Sequence, residues 1–261
     1  MNQFRPGLPF TLFMIFGVAV TWSLMVWQFQ RHQFKSALKA EILAGLEQPP
    51  LQEDALTGPV EALHYRKIAV RGTWRDPIAL AAGRTPLTSE QIALPKAGYG
   101  VVQPLELPSG TLLLVDRGWI PREGAERALE IMPGTGDVVE LQGQLRPLDG
   151  DPDAAATPGR EGLPEIWPPG SWIALWERLP EPKVEAVVLA GEPLLAGEGA
   201  KNDGFPIDGY KPLPKMTDSL SYAGQWFLFG AILIVVWVAF GISRARKRVA
   251  TPQTPTDAPP S

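Results

Sequence analysis

The sequence predicts a membrane protein in which two transmembrane helices flank a mainly antiparallel β domain, barrel-like and with minor helix, held outside the cytoplasm. Three observations carry this. Residues 222–243, YAGQWFLFGAILIVVWVAFGIS, hold no charge. At about 1.5 Å of rise per residue such a stretch crosses a hydrocarbon core of roughly 30 Å. A second apolar run occupies residues 8–29 at the other end. Between them, short blocks of alternating apolar and polar residues are separated by proline and glycine, the pattern of strands and turns.

Composition narrows the chemistry. The chain has no cysteine, which removes disulfides, thiolate metal sites, cysteine nucleophiles and iron–sulfur clusters. Residues 31–219 carry 19 basic and 27 acidic side chains, a net charge of −8. Nucleic acid, which is bound through a basic face, is not the expected partner. The 28 prolines, mostly central and in the tail, favour turns over long helices there.

Taken in order, residues 1–9 are a cytoplasmic head and 10–30 the first span. Trp22, Trp27 and Phe29 cluster at its outer end as interfacial anchors do. A cleaved signal peptide would end near Ala19, but the apolar run continues to Trp27 and the small-residue cleavage pattern is poor. Orientation is contested. Arg31, Lys35 and Lys39 after the first span pull one way, and the denser Arg244, Arg246, Lys247 and Arg248 after the second pull the other. Long translocated domains obey the charge bias weakly, so the second cluster decides: both termini cytoplasmic, residues 31–219 outside. The second span is 221–243. Residues 244–261 are a basic, then disordered, tail.

Within the outer domain, residues 31–46 continue as helix. Phe34, Leu38, Ile42 and Leu46 form a stripe, expected to pack on the domain itself, and Pro49-Pro50 stops it. Residues 65–74 (YRKIAVRGTW) alternate as a strand. Residues 98–107 and 111–120 flank Pro108-Ser109-Gly110 and predict a hairpin. The unbroken run 112–115 predicts a strand buried on both faces. A short helix is expected after Pro121, a strand over 137–147, an irregular loop over 149–169, a helical turn near Trp172 and Trp176, and a last strand over 184–190. A loop over 197–214 leads to the second span. Asp116 and Arg117 are expected as a strand-end ion pair.

Only His32 and His64 supply imidazole, so a multi-histidine metal site is excluded. Neither lies in a nucleophile-elbow context, and a G-x-S-x-G pattern is absent. A surface or interfacial role is expected for both. Gly98-Tyr99-Gly100 lacks the rest of a dinucleotide fingerprint. The residues alone describe a membrane-tethered binding or assembly domain without catalysis. A structural tether of another envelope complex and a His-dependent membrane hydrolase are the alternatives.

Several blocks resemble the surfeit-locus family of cytochrome c oxidase assembly factors. These are Trp27-Gln28-x-x-Arg31-x-x-x-Lys35, Tyr65-Arg66-x-Ile68-x-Val70-x-Gly72-x-Trp74, and Gly100-Val101-Val102-x-Pro104-Leu105. To them add Leu114-Val115-Asp116-Arg117-Gly118-Trp119-Ile120-Pro121 and Tyr222-Ala223-x-x-Trp226-Phe227. The resemblance implies a bacterial inner-membrane protein with a periplasmic domain. It implies support for oxidase subunit I maturation and haem a insertion, with subunit I, the haem a synthesis or insertion machinery and lipid as partners. The histidine that the family usually carries three residues before the Tyr-Ala pair is Ser219 here. Serine is not a usual haem ligand. His32, Tyr222 and Trp226 are then the expected transient haem contacts, and Trp27, Gln28, Arg31, Arg117 and Trp119 the expected partner-docking residues.

Overall fold

The computed structural model describes residues 6–57, 59–84, 97–160, 162–192, 205–207, 209–213 and 218–249. The head before residue 6, the expected disordered tail beyond 249 and most of the 197–214 loop lie outside these. The chain divides into two compact units, residues 39–214 and residues 1–38 with 215–261.

The second of these is a pair of apolar helices. Helix α1 (Leu8–Glu47) begins there and runs on into the other unit, and the last helix, Ser219–Val249, completes it. Both are long and apolar enough to cross a membrane. They pair antiparallel in step. Phe10 meets Phe240 at 4.6 Å between ring centroids, and Trp237 Nε1 donates to Thr11 Oγ1 at 3.1 Å. Further along, Trp22 stacks on Phe227 at 6.2 Å. Gly230 lies directly against the Trp22 indole, and a Cβ there would collide with the ring. Small residues and buried hydrogen bonds are what hold helices together where lipid removes the hydrophobic drive. The outward faces, with Leu12, Phe16, Val235 and Val236, are exposed and apolar, as a lipid-facing surface requires.

Among the described residues the other unit holds seven strands: β1 Lys67–Trp74, β2 Ala79–Arg84, β3 Gly98–Glu106, β4 Leu112–Pro121, β5 Val138–Arg146, β6 Ile166–Trp167 and β7 Lys183–Ala190. Helix α2 (Ala125–Ile131) follows β4, and α3 (Trp172–Glu177) precedes β7. With these two placed, the second membrane helix is α4. Strands β1, β5, β7, β4 and β3 form a ring, closed where Thr73 and Trp74 pair with Glu106 and Leu105. Strands β2 and β6 extend the sheet outward from β3. Pairing is antiparallel except for β4–β7 and β2–β6. The barrel-like, mainly antiparallel expectation is met, and the sheet closes.

Side chains at alternate positions fill the ring: Ile68, Val70, Leu105, Leu113, Val115, Leu141, Leu145 and Val188 are all buried. Burial of each such side chain is worth about 1.5–3 kcal/mol before entropy is counted. Leu114, on the opposite face of β4, packs with Trp167, Leu175 and Val187 outside the ring. β4 is thus covered on both sides, as its unbroken apolar run predicts.

The hairpin of β3 and β4 also forms as expected, with Gly110 N–H returning to Leu107 O at 2.8 Å. It carries one irregularity. Val101 faces Gly118 and Val102 faces Asp116, so Arg117 is an extra residue in β4. Gly118 takes φ +122°, which a side chain would resist.

Three expectations need correction. The segment 149–169 is not wholly irregular: it delivers Ile166 and Trp167 to the sheet. A strand over 79–84 was not expected at all. Of the helical stripe, Ile42 is buried, whereas Phe34 is 70% exposed; its packing on the domain does not extend to that end.

Candidate functional site

The first candidate is a collar in the helix pair. The packing register, Trp22 against Phe227 and Phe10 against Phe240, brings the residues after Trp22 on α1 alongside those before Phe227 on α4. His32 acts on Asp218, just ahead of α4. Asp218 caps that helix. Its Oδ1 accepts Ser221 N–H at 3.3 Å, and its carboxyl is held below the ordinary range by the bonds from Ser221, with His32 adding to the effect. Ser219, the position without the usual histidine, is 1% exposed.

Around this level, Trp27 is half exposed with the Arg31 guanidinium 5.3 Å from its ring centre. Gln28 is half-buried, Tyr222 is 52% exposed, and Trp226 is half-buried with its ring edge-on to Phe229 at 5.8 Å. The sequence-predicted residues His32, Trp27, Gln28, Arg31, Tyr222 and Trp226 therefore belong to one helix pair. The group offers one imidazole, one phenol, two indoles and one cation, with several faces open.

The other two expected docking residues lie elsewhere and inside. Trp119 is 2% exposed. Its backbone exchanges hydrogen bonds with Ile207, N–H to O at 2.9 Å and back at 2.8 Å. Arg117 is 4% exposed within the barrel. What either can offer a partner is the shape of the strand that carries it.

Arg117 is not the exposed strand-end partner of Asp116 that its neighbour position suggested. It follows Leu113 and Val115 in the alternation of β4 and so faces inward. Its Nη1 donates to Gln103 Oε1 and, at 2.9 Å, to Pro133 O. The guanidinium carbon sits 4.3 Å from the Trp74 ring centre. Gln103, fully buried, donates onward to Thr135 Oγ1 at 3.3 Å, and Thr135 donates to Asp76 Oδ1 at 2.7 Å. Burial lowers the guanidinium pKa to about 10, with Asp137 opposing the shift. Gln103 and Trp74 were missed as its partners. The available signal was polarity: Gln103 and Arg117 each interrupt an otherwise buried strand, and a buried polar group requires a partner.

A cleft of about 420 Å³ opens on the barrel wall among Ala81, Asp116, Trp172, Leu189, Tyr210 and Lys211. Neither histidine lines it, so it provides no imidazole base for hydrolysis.

The family model for the SURF1 family matches residues 15–231, which takes in the whole barrel and part of each apolar helix. The chain belongs to the SURF1 family. This is the surfeit-locus family of the sequence motifs, a family of cytochrome oxidase assembly factors. A SURF1-like protein of Monosiga brevicollis is 28% identical over 227 residues, 84% of this chain and 82% of its own length. Surfeit locus protein 1 of Xenopus tropicalis is 24% identical, covering 83% of this chain and 71% of its own. The Arabidopsis thaliana protein of that name is 23% identical over 80% of this chain, which spans 54% of the plant protein.

Proposed function

We propose that this SURF1-family chain is a non-enzymatic assembly factor for a haem–copper cytochrome c oxidase, supporting subunit I maturation and the insertion of haem a. The observation that carries the reading is the family match running from the first span to the second. In this proposal the protein sits in a bacterial inner membrane with the barrel in the periplasm and both termini cytoplasmic.

Haem a is cargo here. The collar's chemistry fits a tetrapyrrole held from one side: His32 would supply a nitrogen ligand, with Asp218 near it, and Tyr222 and Trp226 would offer flat faces. Ser219 does not take part as a ligand. Trp27, Gln28 and Arg31 are left to meet subunit I or the haem a machinery at the membrane surface. Arg117 and Trp119 contribute by fixing the shape of β4.

Deleting the gene tests the main reading: subunit I should still be made while assembled oxidase falls, and a normal oxidase spectrum would reject it. Protein purified from cells that make haem a should show a Soret band that His32→Ala removes. A protein without that band would leave the assembly role and remove the haem contact. The chain has no cysteine, so single cysteines at Val138 and Arg5 would report orientation. Only the first should react with an impermeant maleimide in intact cells.

A further inference from the structure

The last turns of α1 seat on the barrel around an imidazole that the proposed function does not use. Ile42 is buried, and a Cβ on Gly45 would lie 2.8 Å from Tyr65 O, so helix and strand entry touch directly. Tyr65 has φ +65°, an uncommon conformation for a bulky side chain. It is held there from β5. Its N–H donates to Leu145 O at 2.7 Å, its carbonyl accepts Gln144 Nε2 at 2.9 Å, and its ring lies 5.0 Å from the Arg146 guanidinium.

His64 stands next to this clamp, edge-on to the Tyr65 ring at 6.3 Å. Its Nε2 is shut off from solvent and has no hydrogen-bond partner. Four charged groups act on it from four elements: Glu41 on α1, Glu61 on the single turn before it (Glu61–Leu63), Glu185 on β7 and Arg146 on β5. Burial outweighs the three carboxylates and holds the imidazole below its ordinary value of 6.5.

We propose that His64 is a proton-operated latch: neutral, it lets the end of α1 close on the barrel; protonated, it opens that joint. The reason is solvation. An imidazolium at this position holds its Nε2–H away from water and without a bonded partner, and opening restores both water and access to Glu41 and Glu61.

The sign follows from linkage. Because the closed-state pKa is depressed, closure is at full strength above about 6.5 and is lost as pH falls below it. Each unit of depression makes opening tenfold easier once the ring is charged. The latch thus responds to acidification of the compartment that bathes the barrel.

Backbone hydrogen exchange on the full chain in detergent tests this, comparing residues 41–47 and 61–66 at about pH 5.5 and about pH 7.5, each corrected for intrinsic rates. Imidazole resonances are followed in a His32→Gln background, which leaves a single histidine. The latch requires His64 to titrate below 6.5. It also requires several-fold faster relative exchange on the acid side, a difference that His64→Gln abolishes. Glu41→Gln should move the acid midpoint lower, because it removes a charge that favours the proton. Titration at or above 6.5, or an unchanged acid response in His64→Gln, would overturn the proposal.

Discussion

Arg117 and Lys183, two cations of the barrel unit with little side chain exposed, solve the same problem differently. Arg117 is met by groups distant in the chain: Gln103 fourteen residues earlier, Pro133 sixteen later, and the face of Trp74. Lys183, with its side chain 8% exposed, is met locally. Its Nζ donates to the carbonyls of Trp176, Glu177 and Leu179 at 3.2, 3.4 and 2.9 Å, the open end of α3, and lies 4.1 Å from the Trp176 ring centre. The carboxylates acting on the two, Asp137 and Glu181, are exposed. The lysine completes a helix end within one stretch of chain. The arginine exists only once β3, β4 and the 133–135 turn have come together, so it reports the closed barrel.

That contrast can be broken in order of expected effect. Arg117→Ala should cost most, about 3–5 kcal/mol, because it strands Gln103 in the interior and opens space beneath Trp74. For a unit of this size that is a fall in thermal midpoint of roughly 6–20 °C, read by tryptophan fluorescence of the full chain in detergent. Replacing both partners, Arg117→Leu with Gln103→Leu, should recover most of the loss, since the groups then released, Pro133 O and Thr135 Oγ1, belong to exposed residues that water can reach. A double variant as unstable as Arg117→Ala would show that the network itself is required.

Lys183→Met should cost less, about 1–2 kcal/mol, since water can reach the freed carbonyls of α3 once that end loosens. The loss should be seen first in hydrogen exchange of α3 and not in global unfolding. Smallest is Arg178→Ala. Its pair with Glu165, at 2.8 Å, joins side chains 55% and 52% exposed. Its removal should change stability by no more than about 0.5 kcal/mol, as salt and water screen such a pair. An effect equal to that of Lys183→Met would mean that burial is the wrong measure of these cations.

The same division between local and distant explains what the sequence makes legible. The two apolar helices and the β3–β4 hairpin are local patterns, and both were readable from residue order. So was the double burial of β4, from Leu112-Leu113-Leu114-Val115. Strand β2 was not: its residues, Ala79-Leu80-Ala81-Ala82-Gly83-Arg84, lack the β-branched and aromatic side chains that mark a strand. It is a strand because β3 and Ile166-Trp167 of β6 pair with it on either side. The parallel docking of β7 on β4 and the closure through Trp74 and Leu105 depend on contacts across much of the chain, which periodicity does not encode. At the candidate site, the collar residues were legible as aromatics and charges at the ends of spans. Their common level follows from the helix register, which rests on Gly230 under Trp22 and on Trp237 reaching Thr11.

Closure of the ring has a consequence for how any client is recognised. A sheet that ends in an open strand can recruit an unfolded segment by lending it backbone hydrogen bonds, with little regard to sequence. Here the five ring strands spend many of those groups on one another. Among the described residues the outer margin of the sheet is the two-residue β6, itself bridged by Thr157. A closed ring leaves fewer such groups to lend than an open sheet of the same strands, and shifts selectivity toward side chains. The same economy lowers the risk that one copy pairs edge to edge with another chain and aggregates.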